Sequence, residues 1–288
     1  MIMEDGFSLE DSVIGILGLG LMGGSLAMGL KGKCARLIGF DAHLPTVSLA
    51  LAVGIVDHAS SDLSSMPQFD VLILATPVNV ILDILPTLPS FIKQPCILMD
   101  LGSTKKIILE SMNQLPENFD VIGAHPICGK EQLGLQNADA DLYRNAPFVL
   151  TPSARTTPKA ISAARQIISA VGANLIEMSA EAHDLALAFT SHLPFLLASS
   201  LARSTPHEYA SLIGPGFRST SRLAGTPAHM MMGILRSNRE NALKAIQTFR
   251  AALDETETAL RNEEYAVLDK LLHQSRSNHQ SLISSPPR

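Results

Sequence analysis

The turn Gly18-Leu19-Gly20-Leu21-Met22-Gly23 restricts the fold of this chain more than any other feature. It follows the short apolar run Val13 to Leu17 and opens the helix-like segment Gly24 to Leu30. Three glycines at this spacing, between a strand and a helix, do separate jobs. Gly18 permits a tight turn, Gly20 lets the backbone approach a pyrophosphate, and Gly23 lets helix and strand pack closely. The helix start near Leu21 and Met22 then offers amide donors and a partial positive charge to phosphate oxygens. A glycine-rich turn can also serve packing alone. Here the strand–turn–helix context, and an acidic residue downstream, favour a dinucleotide site.

Further strand-length apolar runs follow at Arg36 to Phe40, Val71 to Ala75, Ile97 to Met99, Val121 to Ala124 and Phe148 to Leu150. Helix-like segments lie between several of them, at Pro45 to Val53 and Thr104 to Met112. Near-continuous apolar strands alternating with helices imply a parallel sheet covered on both faces. The expected fold class is therefore α/β, an N-terminal Rossmann-type, mostly parallel sheet. After Met178 the pattern changes to an all-helical C-terminal domain, with helices expected at Glu181 to Ala202 and Asn238 to Asn262. This gives a dinucleotide-binding domain at 1–179, a helical domain at 180–274 and a loose polar tail at 275–288. Ile246, Phe249, Leu253, Thr256 and Leu260 recur at coiled-coil spacing. That stripe is either an intramolecular bundle face or the seam of a homodimer.

Composition excludes several classes of function. The net charge of −5 leaves no basic footprint for nucleic acid, and 46% apolar residues can fill a core. No charged residue occurs between Asp184 and Arg203, but Thr190, Ser191, His192 and Pro194 interrupt the centre of that stretch. It reads as a buried helix rather than a membrane span. Cys34, Cys96 and Cys128 share no paired spacing, so neither a metal site nor a disulfide framework is expected. Free thiols fit a reducing cytoplasm, and the N-terminus lacks the positive region of a secretory signal.

Asp41 ends the second apolar run, close to the roughly 20-residue spacing at which an acidic residue meets the ribose hydroxyls. A carboxylate there repels a 2′-phosphate, which points to NAD, with NADP as the alternative. The other reading is a solvated Asp in a turn. Among the histidines, His43, His58, His207, His273 and His279 sit in polar or turn contexts, and His229 in Ala228-His229-Met230 reads as core. His125 differs, because it follows the strand Val121-Ile122-Gly123-Ala124 at its carboxyl end, where open α/β sheets bind ligands. Ser103 follows Met99-Asp100-Leu101-Gly102 in the same way. An imidazole and a hydroxyl at two strand ends are a plausible reacting pair for moving a proton near neutral pH.

Four segments together carry a family resemblance. They are Asp100-Leu101-Gly102-Ser103-Thr104-Lys105, Gly123-Ala124-His125-Pro126-Ile127-Cys128-Gly129, Thr190-Ser191-His192-Leu193-Pro194 and Gly216-Phe217-Arg218-Ser219-Thr220-Ser221-Arg222. In order and spacing the chain resembles the prephenate/arogenate dehydrogenases of tyrosine biosynthesis, from about Val13 to His273. The Gly-Phe-Arg-x-Thr-Ser-Arg form is most similar to the cyanobacterial arogenate dehydrogenases. The resemblance implies oxidative decarboxylation of a cyclohexadienyl carboxylate by hydride transfer to a nicotinamide. It also implies roles by position. His125 takes the ring hydroxyl proton and Ser103 orients it. Arg222 binds the ring carboxylate, and His192 with Ser191 lies near the substrate side chain. Glu131 helps order the pocket, and Ala75-Thr76-Pro77 runs along the cofactor. By sequence alone, Arg222 would instead read as a surface ion pair.

The chain departs from the family pattern in places. Phe195 stands where many prephenate-preferring members have a second histidine, which leaves prephenate and arogenate both open and tilts toward arogenate or dual use. Lys130 replaces a usual Thr. Two rival readings remain: another dehydrogenase of the β-hydroxy acid type, and a non-catalytic protein that senses NAD(P). The first needs a lysine on the helix Glu181 to Ala202, which has none.

Overall fold

The computed structural model describes residues 6–65, 67–130 and 132–284. The chain divides into two compact units, Met1–Leu187 with Gly225–Ser237, and Ala188–Ala224 with Asn238–Arg288.

The first unit is built on β1 (Val13–Leu17), α1 (Leu21–Leu30), β2 (Arg36–Phe40), α2 (Leu44–Ala52), β3 (His58–Ser60), β4 (Val71–Leu74), α3 (Val78–Ile84), α4 (Leu88–Phe91) and β5 (Cys96–Asp100). It continues with α5 (Lys106–Met112), β6 (Phe119–Pro126), β7 (Pro147–Pro152), α6 (Pro158–Ala170), β8 (Asn174–Glu177) and α7 (Ala180–Leu187). The strands form one sheet in the order β3-β2-β1-β4-β5-β6-β7-β8. Every neighbouring pair is parallel except β6 with β7. The mostly parallel sheet expected from the apolar runs is therefore present. β3 and β8 were beyond the reach of the pattern, being a three-residue strand and a four-residue, largely exposed edge.

Strands β1, β4 and β5 are apolar along their length because helices cover both faces. Ile14, Ile16, Leu72, Ile73, Leu98 and Met99 are fully buried, and side chains of this kind each contribute about 1.5–3 kcal/mol on burial. Strand order reverses at β1, which pairs with β2 on one side and β4 on the other. A crevice at the carboxyl ends of such strands is the usual ligand position.

The turn after β1 shows why its glycines are needed. Gly18 has φ +97°, and a Cβ built on Gly23 would lie 1.8 Å from the Gly18 carbonyl oxygen. Helix α1 is thus pressed onto the turn backbone itself. Buried Tyr143 holds it there, its hydroxyl donating to the Met22 carbonyl at 2.6 Å.

The second unit contains α8 (Leu193–Ser204), α9 (Pro215–Ser221), α11 (Arg239–Arg261) and α12 (Tyr265–Ser284); α10 (Ala228–Ser237) belongs to the first unit. Ala188, Leu193 and Ala245 form its small core, with Leu197, Ile246 and Phe249 packed against them. The expected stripe on α11 splits. Ile246 and Phe249 turn inward, whereas Leu253 and Leu260 stay more than half exposed, at 54% and 53%.

By compactness, two further segments group with the first unit. The segment Ala180–Leu187 packs with the first unit rather than the second, and Gly225–Ser237 returns to the first. Asp184 explains the former, since its carboxylate accepts the backbone amides of Lys105 and Lys106. Residues 275–284, expected as loose, are helical because α12 meets no Gly or Pro before Ser284. Residues 285–288 of that tail lie outside the described residues.

Gly23→Ala is expected to destabilise the chain by roughly 1–3 kcal/mol, because a backbone oxygen cannot move aside for the new methyl group. Urea unfolding checks this; unchanged stability would show that helix and turn are free to separate.

Candidate active site

Because β1, β4, β5 and β6 run parallel, the residues following them emerge on one edge of the sheet. That edge holds a cavity of about 340 Å³. Gly20, Leu21 and Met22 line it from the turn after β1, Thr76 and Pro77 from the loop after β4, and Ser103 from the loop after β5. His125 lines it from the end of β6. Seven of the predicted site positions are thus brought together within one unit. Asp41 joins the same turn, because its carboxylate accepts the Leu19 amide at 2.8 Å and the His43 amide at 2.9 Å.

The cavity suits a dinucleotide by its own chemistry. Helix α1 has no side-chain cap and no acidic residue in its first turn, so its first-turn amides are left to a ligand in the cavity. Among the described residues, a Cβ on Gly20 would meet nothing within 4 Å. The space beside that backbone is therefore free for another molecule. Thr76 Oγ1 is buried without a hydrogen-bond partner among the described residues. A buried hydroxyl without a partner costs free energy, which an amide-bearing ligand would recover.

Behind His125 lies a chain of buried groups. His125 Nδ1 stands 2.9 Å from His183 Nε2, and His183 Nδ1 stands 2.8 Å from Asp184 Oδ1. His183 is fully buried and Asp184 nearly so. Asp184 Oδ1 and Oδ2 also accept the backbone amides of Lys105 at 2.7 Å and Lys106 at 3.0 Å. Burial opposes the Asp184 charge, but the bonds from His183 and the two amides outweigh it and hold the carboxyl below its ordinary range. Beneath this chain, the fully buried Lys105 ammonium bonds Asp100 and the Ala124 carbonyl, the latter at 2.7 Å. Burial pushes the Asp100 carboxyl up and the Lys105 ammonium down, each against the attraction of the other. The carbonyl preceding His125 is held by this pair.

Other groups at the cavity are less suited to chemistry. Burial pushes the Cys128 thiol up to about 11, so it stays protonated near neutral pH and does not act as a thiolate nucleophile. Lys130, whose replacement of Thr had no reading in the sequence, donates to Asp139 at 2.9 Å and to the Asn137 carbonyl at 3.3 Å. His229 is exposed and lines the cavity from α10, rather than lying in the core as Ala228-His229-Met230 suggested.

The remaining predicted residues lie on the second unit. Ser191 and His192 fall in a π-helical turn, Ala188–His192. Pro194 has no amide to offer the Thr190 carbonyl, and the helix widens just before it. His192 is buried, and its Nδ1 accepts from Asn238 Nδ2 at 3.3 Å. Arg222 is exposed at the start of a 3₁₀ turn, Arg222–Gly225. Glu131 lies outside the described residues. The residues that sequence reasoning missed are His183 and Asp184. Their signal was a His-Asp pair on a helix that also carries the long uncharged run, and nothing local links it to His125.

Gly20→Ala separates cofactor binding from folding. With no atom of the described residues near the new methyl group, stability is expected to stay within about 1 kcal/mol of wild type. NAD affinity, measured by titration calorimetry, is expected to fall at least about ten-fold because the backbone can no longer approach the pyrophosphate. Full affinity in this variant would place the dinucleotide elsewhere.

Residues 26–177 match the family described as prephenate dehydrogenase, nucleotide-binding domain, and residues 179–274 match prephenate dehydrogenase, dimerization domain. The chain is 31% identical to the prephenate dehydrogenase of Bacillus subtilis over 89% of this chain and 72% of that one. Its fold is similar to prephenate dehydrogenase from A. aeolicus in complex with hydroxyphenyl propionate and NAD+, with TM-score 0.88 and 28% identity, covering 96% of this chain and all of that one. It is also similar to Synechocystis arogenate dehydrogenase, with TM-score 0.82 and 31% identity over 94% of this chain and 99% of that one. The chain belongs to the prephenate/arogenate dehydrogenase family and is a nicotinamide-dependent dehydrogenase.

Proposed function

We propose that the protein oxidatively decarboxylates prephenate, arogenate or both, with NAD as its preferred cofactor. The observation that carries this reading is the shared cavity. It sets His125 and Ser103 beside the open N-terminus of α1, with Asp41 on the same turn.

Gly20 keeps a side chain out of the pyrophosphate position, Gly18 and Gly23 shape and pack the turn that presents it, and the amides at Leu21 and Met22 donate to the pyrophosphate. Asp41 accepts from the ribose hydroxyls and repels a 2′-phosphate, which supports NAD over NADP. Thr76 and Pro77 border the nicotinamide end. The bound nicotinamide supplies a hydride acceptor. His125 draws off the proton of the ring hydroxyl while Ser103 fixes the direction of that hydroxyl. The resulting ketone makes the ring carboxylate a vinylogous β-keto acid, and loss of carbon dioxide aromatises the ring. In the second unit the motif resemblance supports Arg222 for the ring carboxylate, a group suited to its planar fork. The same resemblance supports Ser191 and His192 for the side-chain end, and Glu131 as the residue that orders the pocket. Phe195 removes a polar group from the side-chain end, which supports arogenate or dual use.

The protein acts as a homodimer through the helical unit. The large exposed apolar residues Leu253, Leu260, Val267 and Leu272 of α11 and α12 support this. So does the match of residues 179–274 to a domain named for dimerization. The helical stretch Ala180–Ser204 is long and apolar enough to cross a membrane by length and composition alone. Its first part, however, carries the hydrogen-bonded and buried pair His183 and Asp184, which supports a protein-packed helix in a cytoplasmic enzyme.

A turnover assay crossing prephenate and arogenate with NAD and NADP tests the proposal. NAD is expected to support at least about ten-fold higher kcat/KM than NADP, with Asp41→Ser narrowing the gap. No turnover with any of the four pairs would remove the reading. For the assembly, wild type is expected to sediment as a dimer and Leu253→Glu with Leu260→Glu as a monomer. A monomeric wild type would overturn that part.

A further inference from the structure

The geometry assigns a positioning role to His183 and Asp184: together they hold His125 with its proton on Nδ1, so that the lone pair needed by the base sits on Nε2. This rests on His125 acting as the base.

Donors and acceptors fix the tautomer. Asp184 has two carboxylate oxygens and already accepts two backbone amides, from Lys105 and Lys106. An ionised carboxylate only accepts, so the contact at 2.8 Å requires His183 Nδ1 to carry a proton. A neutral His183 then has its lone pair on Nε2. The contact at 2.9 Å to His125 Nδ1 requires one proton between the two rings, and His125 must supply it. His125 Nε2 is left as the acceptor. The alternative is a doubly protonated His183 donating both ways, which would leave His125 as the Nε2–H tautomer and useless as a base. His183 is wholly enclosed, so a charge added there would have no water around it.

The arrangement also suits the charge that appears in the reaction. When His125 Nε2 takes the hydroxyl proton, an imidazolium forms and no proton leaves the chain of three groups. The Nδ1 proton of His125 stays directed at His183, and that of His183 at Asp184. The Asp184 carboxylate thus faces the new positive charge through one intervening ring. Because Asp184 is bonded to the start of α5, the same carboxylate ties the base to the segment that carries Ser103.

Other titratable groups around His125 matter for any pH reading. Among the described residues they are Cys128 and Lys130 on the following loop, and His229 on α10. Asp100 and Lys105 lie beneath the preceding carbonyl, and His183 and Asp184 lie on α7.

The test is nitrogen NMR of the full-length enzyme labelled at histidine, without substrate, combined with kinetics of His183→Leu, His183→Gln and Asp184→Asn. Wild type is expected to show His125 protonated at Nδ1. His183→Leu removes the acceptor, so His125 is expected to shift toward the Nε2–H form that free imidazole favours. Its kcat is expected to fall about 100-fold to 10,000-fold, while KM and NAD affinity stay within about three-fold. His183→Gln offers an amide oxygen in place of Nε2 and is expected to restore part of both the tautomer and kcat. Asp184→Asn keeps an acceptor for a backbone amide but loses the charge, and is expected to lower kcat without weakening NAD binding. A wild-type His125 protonated at Nε2 would overturn the assignment. So would unaltered kcat in His183→Leu. The nitrogen shifts are read without turnover, so they decide the tautomer even where the substrate reading fails.

Discussion

Four adjacent parallel strands end on one edge of the sheet, and the groups of the first unit's site all hang from that edge. β1, β4, β5 and β6 keep their register over four or five residues each. Their carboxyl ends deliver a glycine turn, a threonine, a serine and a histidine to a single cavity. A parallel sheet requires helices on both faces. Those same helices supply the rest of the site: α1 brings its positive end, α5 carries amides to Asp184, and α7 carries His183 and Asp184. The covering layer is therefore part of the chemistry as well as of the core.

The division of labour within this edge is electrostatic. Toward the cofactor it presents donors, through the backbone after Gly20 and the uncapped helix behind it. On its other side it presents the His125 imidazole, which is backed by the buried His183 and Asp184. Beneath both, the Lys105 and Asp100 pair grips the Ala124 carbonyl. Breaking such a pair by removing one partner costs about 3–5 kcal/mol, because a charge is left buried without compensation. The site is thus anchored to the least solvated part of the sheet, where small displacements are expensive.

Much of this was legible in the residues. The apolar runs at Val13, Val71 and Ile97 each became a buried strand, and the glycine turn sits where a dinucleotide turn belongs. His125 and Ser103 could be singled out because a residue at the carboxyl end of a parallel strand has few places to point. What stayed hidden depends on distance along the chain. His183 is 58 positions from His125, and no periodicity reports that their rings meet. The strand β8 has only Leu175 and Ile176 between Asn174 and Glu177 and is mostly exposed, so it lacks the longer apolar run by which strands are read. The last helix reaches Ser284 on propensity and the absence of breakers, where composition alone suggested a loose tail.

On the proposed function, this edge of the sheet moves hydride from the ring carbon that bears the hydroxyl. The most direct measurement uses prephenate or arogenate deuterated at that carbon, with NAD and the full-length enzyme, and follows the label by mass spectrometry. Deuterium is expected in the reduced nicotinamide, with one carbon dioxide released for each cofactor reduced. Reduced cofactor without the label, or cofactor reduction without carbon dioxide, would contradict that function.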